Sequence, residues 1–248
     1  MYREVSKLIL YRDLGEDSIL FRLAGIFEDF DKGISDKDKA DLTTRIYVEM
    51  KRLLDLSTSY GFDSNLWHNY LAFLLITNEN SFSITCEKVG ANDGTVNAFA
   101  KSDFRIFKKL FDFDFGPIEK ALEIDCFSTI SNYKAIVKKE RMYNKNVSEK
   151  VQEVSRQIEQ AESEEDIFRI VTDFYKAYGV GMFGLNKAFR IRHEEGRELE
   201  FIPITNTDKV MLDDLIGYEI QKKKLVDNTE AFVLGKKAHN CLLFGDSG

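Results

Sequence analysis

Asn240-Cys241-Leu242-Leu243-Phe244-Gly245-Asp246-Ser247-Gly248 joins an apolar run to a turn of glycine, aspartate and serine. A phosphate-binding loop of the form G-x-x-x-x-G-K-[ST] begins this way, with a buried strand feeding a glycine-started loop. With Gly245 as the first glycine, the second glycine, the lysine and the hydroxyl residue would fall past Gly248. The chemistry explains the pattern. The strand must lie inside a parallel sheet so that the loop emerges at its edge, and glycines let backbone N–H groups wrap around phosphates. A strand is therefore predicted at 240–244, and the chain reads as the front part of a nucleotide-binding protein ending inside its phosphate loop. A plainer alternative is a buried strand closed by a Gly-Asp-Ser turn, which many α/β folds contain.

Upstream, Asp213-Asp214-Leu215-Ile216-Gly217-Tyr218-Glu219 leads into a predicted helix ending near Leu234, and Gly235-Lys236-Lys237 forms a turn before the apolar run. Lys222-Lys223-Lys224 reads as the solvent face of that helix. Earlier still, Ala188–Ile191 and Glu198–Ile204 flank Glu194-Glu195-Gly196, which predicts a β-hairpin with Pro203 on an edge. Before Gly179 the chain reads as helical. Residues 38–60 carry Leu42, Ile46, Met50, Leu53, Leu54 and Leu56 at helical spacing and stop at Gly61. Asn65–Ile76 is apolar enough for a core helix. Ser102–Phe111 places Phe104, Phe107 and Phe111 on one face. Val147, Val151, Val154, Ile158 and Ala161 form a narrow stripe on a polar helix. Ser163 caps an acidic first turn, and the helix it opens is expected to bury Ile167, Ile170, Val171, Phe174 and Tyr178 before Gly179 ends it.

The fold class is accordingly mainly α: a helical N-terminal domain over 1–178, a Gly-rich junction and β-hairpin over 179–204, and the first helix and strand of an α/β phosphate-loop module over 205–248. With 248 residues, 44% hydrophobic, 20 Phe and 2 Pro, the chain has material for a sizeable core and little for long disordered linkers. A net charge of −7 gives a field that repels nucleic acid as a whole. Cys86, Cys126 and Cys241 are odd in number and widely spaced, which fits a reduced cytoplasmic setting, not a disulfide framework. No secretory leader is read in the first 30 residues, and apolar runs such as Leu71–Ile76 are too short to span a bilayer.

Leu212–Glu219, a helix, and Asn240–Gly248 together resemble the opening of a AAA+ ATPase module. More narrowly, Asn228–Phe232, Gly179–Gly184 and Val96–Arg105 resemble a bacterial family of uncharacterised AAA+-type ATPases. This narrower likeness runs from about residue 82 to Gly248. The resemblance implies that Ile216, Gly217 and Tyr218 contribute to an adenine pocket. It also implies that Gly245, Asp246, Ser247 and Gly248 open the phosphate loop. In the full-length parent it implies ATP with Mg²⁺ as cofactors, oligomers such as hexamers, and a helical domain that recognises a protein partner or regulates the ATPase core. The loop lysine, the Mg²⁺-binding hydroxyl and the second acidic motif would lie downstream. The fragment itself is therefore expected to bind no cofactor and to be inactive, and its module segment to be loosely ordered or packed against a neighbouring copy.

Two other function classes fit parts of the chain. The helical region reads as a non-catalytic protein-interaction domain if the parent's loop is degenerate. Lys134, Lys138, Lys139, Arg141 and Lys145, interleaved with Tyr133 and Tyr143, form a basic segment for nucleic acid, although a solvated helix face is simpler. Gly179-Val180-Gly181-Met182-Phe183-Gly184 matches G-x-G-x-x-G but follows a helix, so a helix cap and flexible junction is the better account. His239 and Cys241 have metal-pair spacing without the four ligands of a closed zinc site, so no metal and no catalytic residue is assigned. His68 reads as a packed histidine, and the Phe-rich run from Phe104 to Phe115 as core, unless Phe113 and Phe115 are exposed.

Overall fold

The computed structural model describes residues 1–33, 35–136, 145–186, 188–193, 199–204 and 211–245, apart from the side chains of residues 36, 37, 145 and 146. The chain is mainly helical with a small two-stranded antiparallel sheet. It divides into two compact units, Met1–Asn206 and Thr207–Gly248.

The first unit runs through α1 (Tyr2–Val5), α2 (Ile19–Asp31), α3 (Asp36–Tyr60), α4 (Leu66–Thr77), α5 (Ser81–Val89), α6 (Thr95–Phe111), α7 (Gly116–Leu122), α8 (Cys126–Ser131), α9 (Lys145–Gln160), α10 (Glu164–Tyr178) and α11 (Gly181–Leu185), then a hairpin of β1 (Phe189–Arg192) and β2 (Glu200–Pro203). The predicted helices are all present. α3 begins two residues early, where Ser35 and Asp38 form a capping box, and Gly61 ends it in the left-handed region at φ 70°. α6 extends the Phe104–Phe107–Phe111 stripe back to Thr95.

At the centre lies α4. It is apolar all round, and a helix of that kind belongs inside: Leu66, Trp67, Tyr70, Leu71, Ala72, Leu75 and Ile76 are buried. It packs against α3, α6, α8, α9, α10 and α11. Asn65 caps it by accepting the His68 N–H at 3.0 Å, and the Trp67 indole N–H donates to the Leu110 carbonyl at 2.8 Å. Phe82, Phe104 and Phe168 close one side of the core with centroids 5.6–6.3 Å apart, and Phe27, Phe115 and Phe127 close another.

Two polar groups inside this core tie distant chain together. Asp103, fully buried in α6, accepts the backbone N–H groups of Ile9, Leu10 and Tyr11 at 2.8–3.2 Å. Burial raises its carboxyl pKa above the ordinary range, and those three amide donors pull it back. Tyr175 donates its hydroxyl to the Leu75 carbonyl at 2.5 Å and meets the Tyr11 hydroxyl at 3.0 Å. Buried hydroxyls of this kind need such partners.

α10 corrects one expectation. Ile167, Val171 and Phe174 are buried as expected and Ile170 partly so, but Tyr178 is half-exposed and Tyr175 takes the inward place. The ammonium of Lys150 sits 4.1 Å from the Tyr178 ring centroid, which gives the ring a partner at the surface. Gly179 ends α10 as expected, and the junction continues into a short helix. α11 is packed, with Gly181, Gly184 and Leu185 buried. A Cβ on Gly184 would lie 2.4 Å from the Gly179 carbonyl oxygen, so only glycine allows this close approach. The hairpin pairs Phe189 with Pro203 and Arg192 with Glu200, as the alternating runs predict. Its expected turn, Glu194-Glu195-Gly196, lies outside the described residues.

In the second unit a short 3₁₀ turn (Leu212–Asp214) precedes α12 (Glu219–Val233), which buries no residue. The strand predicted at 240–244 is not formed. Residues 237–245 are irregular, and Leu242, Leu243 and Phe244 are 83, 74 and 92% exposed. A strand needs a neighbour to take its N–H and C=O groups. Among the described residues the sheet is limited to β1 and β2, so the apolar run has no ladder to join.

Candidate functional site

Ile216, Gly217 and Tyr218 form the loop that enters α12. Ile216 is 96% exposed. Gly217 has φ 85° and Tyr218 follows at φ 59°, ψ 28°, so two consecutive residues adopt the left-handed region. For tyrosine that conformation costs on the order of 1–2 kcal/mol and is uncommon. Tyr218 occupies the N-cap position of α12 and its side chain makes no capping bond.

The loop is held by α12 itself. The Lys222 ammonium donates to the Leu215 carbonyl at 2.9 Å and pairs with Glu219 at 2.8 Å. Lys222 is therefore largely covered, which corrects the expectation that the whole triplet is a solvent face; Lys223 and Lys224 are exposed as expected. Before the turn, Met211 N–H donates to the Asp214 carboxylate at 2.7 Å.

At the other end of α12, Asn228 grips the returning chain. Its Nδ2 donates to the His239 carbonyl at 2.8 Å, and its Oδ1 accepts the His239 N–H at 2.8 Å. This two-point clamp copies one rung of a β-ladder with a side-chain amide. It also brings Nδ2 within 3.3 Å of the Cys241 sulfur. His239 and Cys241, spaced like a metal pair, are thus engaged with Asn228. Among the described residues no group of three His, Cys, Asp or Glu is placed to hold a metal.

Gly245 lies just beyond the apolar run, and a Cβ there would meet nothing within 4 Å. Asp246, Ser247 and Gly248 lie outside the described residues. Among the described residues no hydrogen bond joins Gly245 to the Ile216–Tyr218 loop. α12 and the Asn228 clamp lie between the Ile216–Tyr218 loop and Gly245. Sequence reasoning passed over Lys222 and Asn228 as site supports. A cation three residues inside a helix and an amide eleven residues before a backbone partner carry no local signature.

The other candidates resolve by packing. Phe115 is buried and Phe113 partly so, stacked among Phe27 and Phe127, and they form core instead of a docking surface. His68 Nε2 bonds the Phe111 carbonyl at 2.9 Å, while its buried Nδ1 has no hydrogen-bond partner among the described residues and faces Glu159 at 3.8 Å. Burial lowers its pKa, against a raising pull from the Phe111 carbonyl and Glu159. In the basic 133–145 segment, Tyr133 bridges the backbone of Ser64 and Lys134 is exposed. Lys138, Lys139, Arg141, Tyr143 and the side chain of Lys145 lie outside the described residues. No described helix is long and apolar enough to cross a membrane.

Residues 185–248 are similar to a family described as a protein of unknown function (DUF815). No curated protein and no solved structure matches the chain.

Proposed function

We propose that the chain carries the opening of a AAA+-type nucleotide-binding module behind a helical domain that recognises a protein partner or regulates the ATPase. The observation that carries this reading is the apolar run Leu242–Phe244. It is exposed on nearly all sides, stands directly before Gly245, and is delivered by the Asn228 clamp from the far end of α12. Three such side chains are stable in water only at a cost, about 1.5–3 kcal/mol each relative to burial. That favours a place in a larger sheet. The family match covers the same stretch, 185–248.

In this reading Ile216, Gly217 and Tyr218 touch the adenine, and the left-handed Gly217-Tyr218 pair presents the loop at the head of α12. Backbone N–H groups from Gly245 to Gly248 begin the cradle for phosphates. ATP with Mg²⁺ would supply the phosphoryl group and the charge neutralisation for its transfer. The full-length parent would couple nucleotide state to remodelling of a cytoplasmic partner and would assemble as a homo-oligomer.

Sequencing the coding region past the Gly248 codon tests the reading. One spacer followed by Gly-Lys-Ser or Gly-Lys-Thr supports it, and ATP hydrolysis by the longer protein, lost on Lys→Ala, completes the case. Without that lysine the ATPase reading fails, and the helical unit stands as a non-catalytic interaction domain.

A further inference from the structure

Within the first unit, a groove runs along α9 and α10 and ends at α11. Two hollows of about 780 and 600 Å³ make it up, and they share Gln157, Ile170 and Asp173. From residue 149 to residue 160 the α9 wall is about 16 Å long at 1.5 Å per residue, some three helical turns. Val154, Ile170 and Phe174 line its floor, and Tyr178 and Phe183 stand half-exposed at the α11 end.

The walls are acidic. Glu149, Glu153, Glu162, Asp166 and Asp173 line the groove, against Lys150 and Arg169. Both cations are engaged within the protein, and of the acids Glu153 pairs with Arg156 at 2.5 Å. Lys150 donates to the Gly184 carbonyl at 2.9 Å and lies over Tyr178, while Arg169 pairs with Asp166 at 3.3 Å. Glu162 and Asp173 have no ion-pair partner among the described residues. Solvated acids over an apolar floor match one kind of occupant by charge: an amphipathic helix with an apolar stripe and basic flanks. Helix-in-groove recognition uses apolar anchors at i, i+3 and i+4, with aromatic residues at the energetic centre. The net charge of −7 opposes anionic lipid and nucleic acid at the same face.

We infer that the α9–α10 groove is a docking site for a basic amphipathic helix of a partner protein. The inference rests on the partner-binding half of the function proposed above and is independent of nucleotide chemistry. It deepens that reading by giving the partner a surface and a charge.

The test uses the whole chain and a fluorescein-labelled 14-residue helical peptide of leucine and lysine, with leucine at i, i+3, i+4 and i+7. Fluorescence anisotropy is the readout. The expected result is saturable binding that weakens with salt and falls at least tenfold in E153Q/E162Q/D173N. A comparable loss is expected in F183A, with circular dichroism showing that both variants stay folded. A peptide of the same composition without the stripe, and one with glutamate for lysine, should bind at least tenfold more weakly. Equal binding by those control peptides, or no change in the charge variant, overturns the proposal. So does binding to vesicles of anionic lipid that the same variants abolish, which would make the occupant a membrane. A dimer in sedimentation that dissociates in F183A overturns it in favour of a second copy. ATP hydrolysis by the longer parent is measured separately: a silent groove with active hydrolysis sinks this inference alone.

Discussion

Leu71 and Leu242 are the same residue in opposite circumstances: the first is fully buried at the centre of the helical unit, the second 83% exposed in the Thr207–Gly248 unit. Both lie in apolar runs. The difference is what the neighbouring chain provides. In the first unit α4 is surrounded by six helices, so its apolar faces all find partners. In the second, α12 buries nothing, and among the described residues the run 242–244 has no strand to pair with. Local sequence supplies an apolar segment with a tendency, and only packing turns that tendency into structure.

Removing a large side chain from each unit should break the comparison most plainly. Trp67→Ala is expected to cost about 3–5 kcal/mol in urea unfolding followed by far-UV circular dichroism, whereas Phe244→Ala should change stability by less than about 0.5 kcal/mol. Equal losses would mean that Phe244 is covered in solution. Next comes Asp103→Ala, which strands three N–H groups, that of Tyr11 fully buried, and should cost about 2–4 kcal/mol; a midpoint unchanged in urea would show that water replaces the carboxylate.

Glycines sharpen the contrast at smaller scale. Gly184→Ala forces a Cβ against the Gly179 carbonyl and should cost about 1–3 kcal/mol, while Gly245→Ala meets open space and should leave the melting curve in place. In the second unit the expected effect is local. Asn228→Ala should accelerate amide exchange at His239 about five-fold, the worth of roughly 1 kcal/mol of hydrogen bonding, without moving the global transition; an unaltered His239 exchange rate would mean the clamp is not formed.

The smallest effect concerns pH. His68 has a folded pKa below its ordinary 6.5, chiefly through burial. For a base lowered in this way the unfolded chain takes up the proton first. Stability is therefore full above about pH 6.5 and declines as pH falls below it. His68→Gln should flatten the melting-temperature difference between pH 7.5 and 5.5. A slope identical to that of the native protein would assign the decline to other groups.

How much of this was legible in the sequence follows the same division. Helices α3, α4, α6, α9 and α10 could be read because their stripes, caps and stops are local: Ser163 and Asp166 lie three residues apart, and Gly61 marks its own helix end. The hairpin could be read from alternation. The strand expected at 240–244 does not form here, because apolarity alone does not bury a run and burial depends on partners. Asp103 left no trace in the pattern, since its three donors lie more than 90 residues away. Of the candidate site, the Gly217-Tyr218 loop and Gly245 were visible as motif; the Lys222 and Asn228 contacts that hold them were not. The acidic groove escaped notice because its two walls, α9 and α10, each look like ordinary solvated helices.

The hydroxyl contact between Tyr11 and Tyr175 spans 164 residues of chain. During synthesis at about 5–20 residues per second, the first partner would wait about 8–33 seconds for the second to be made. Through that interval the apolar segment around Leu8 to Tyr11 has no α10 to close over it. The helical unit therefore cannot complete its core until α10 has been made, however early the rest of the chain collapses.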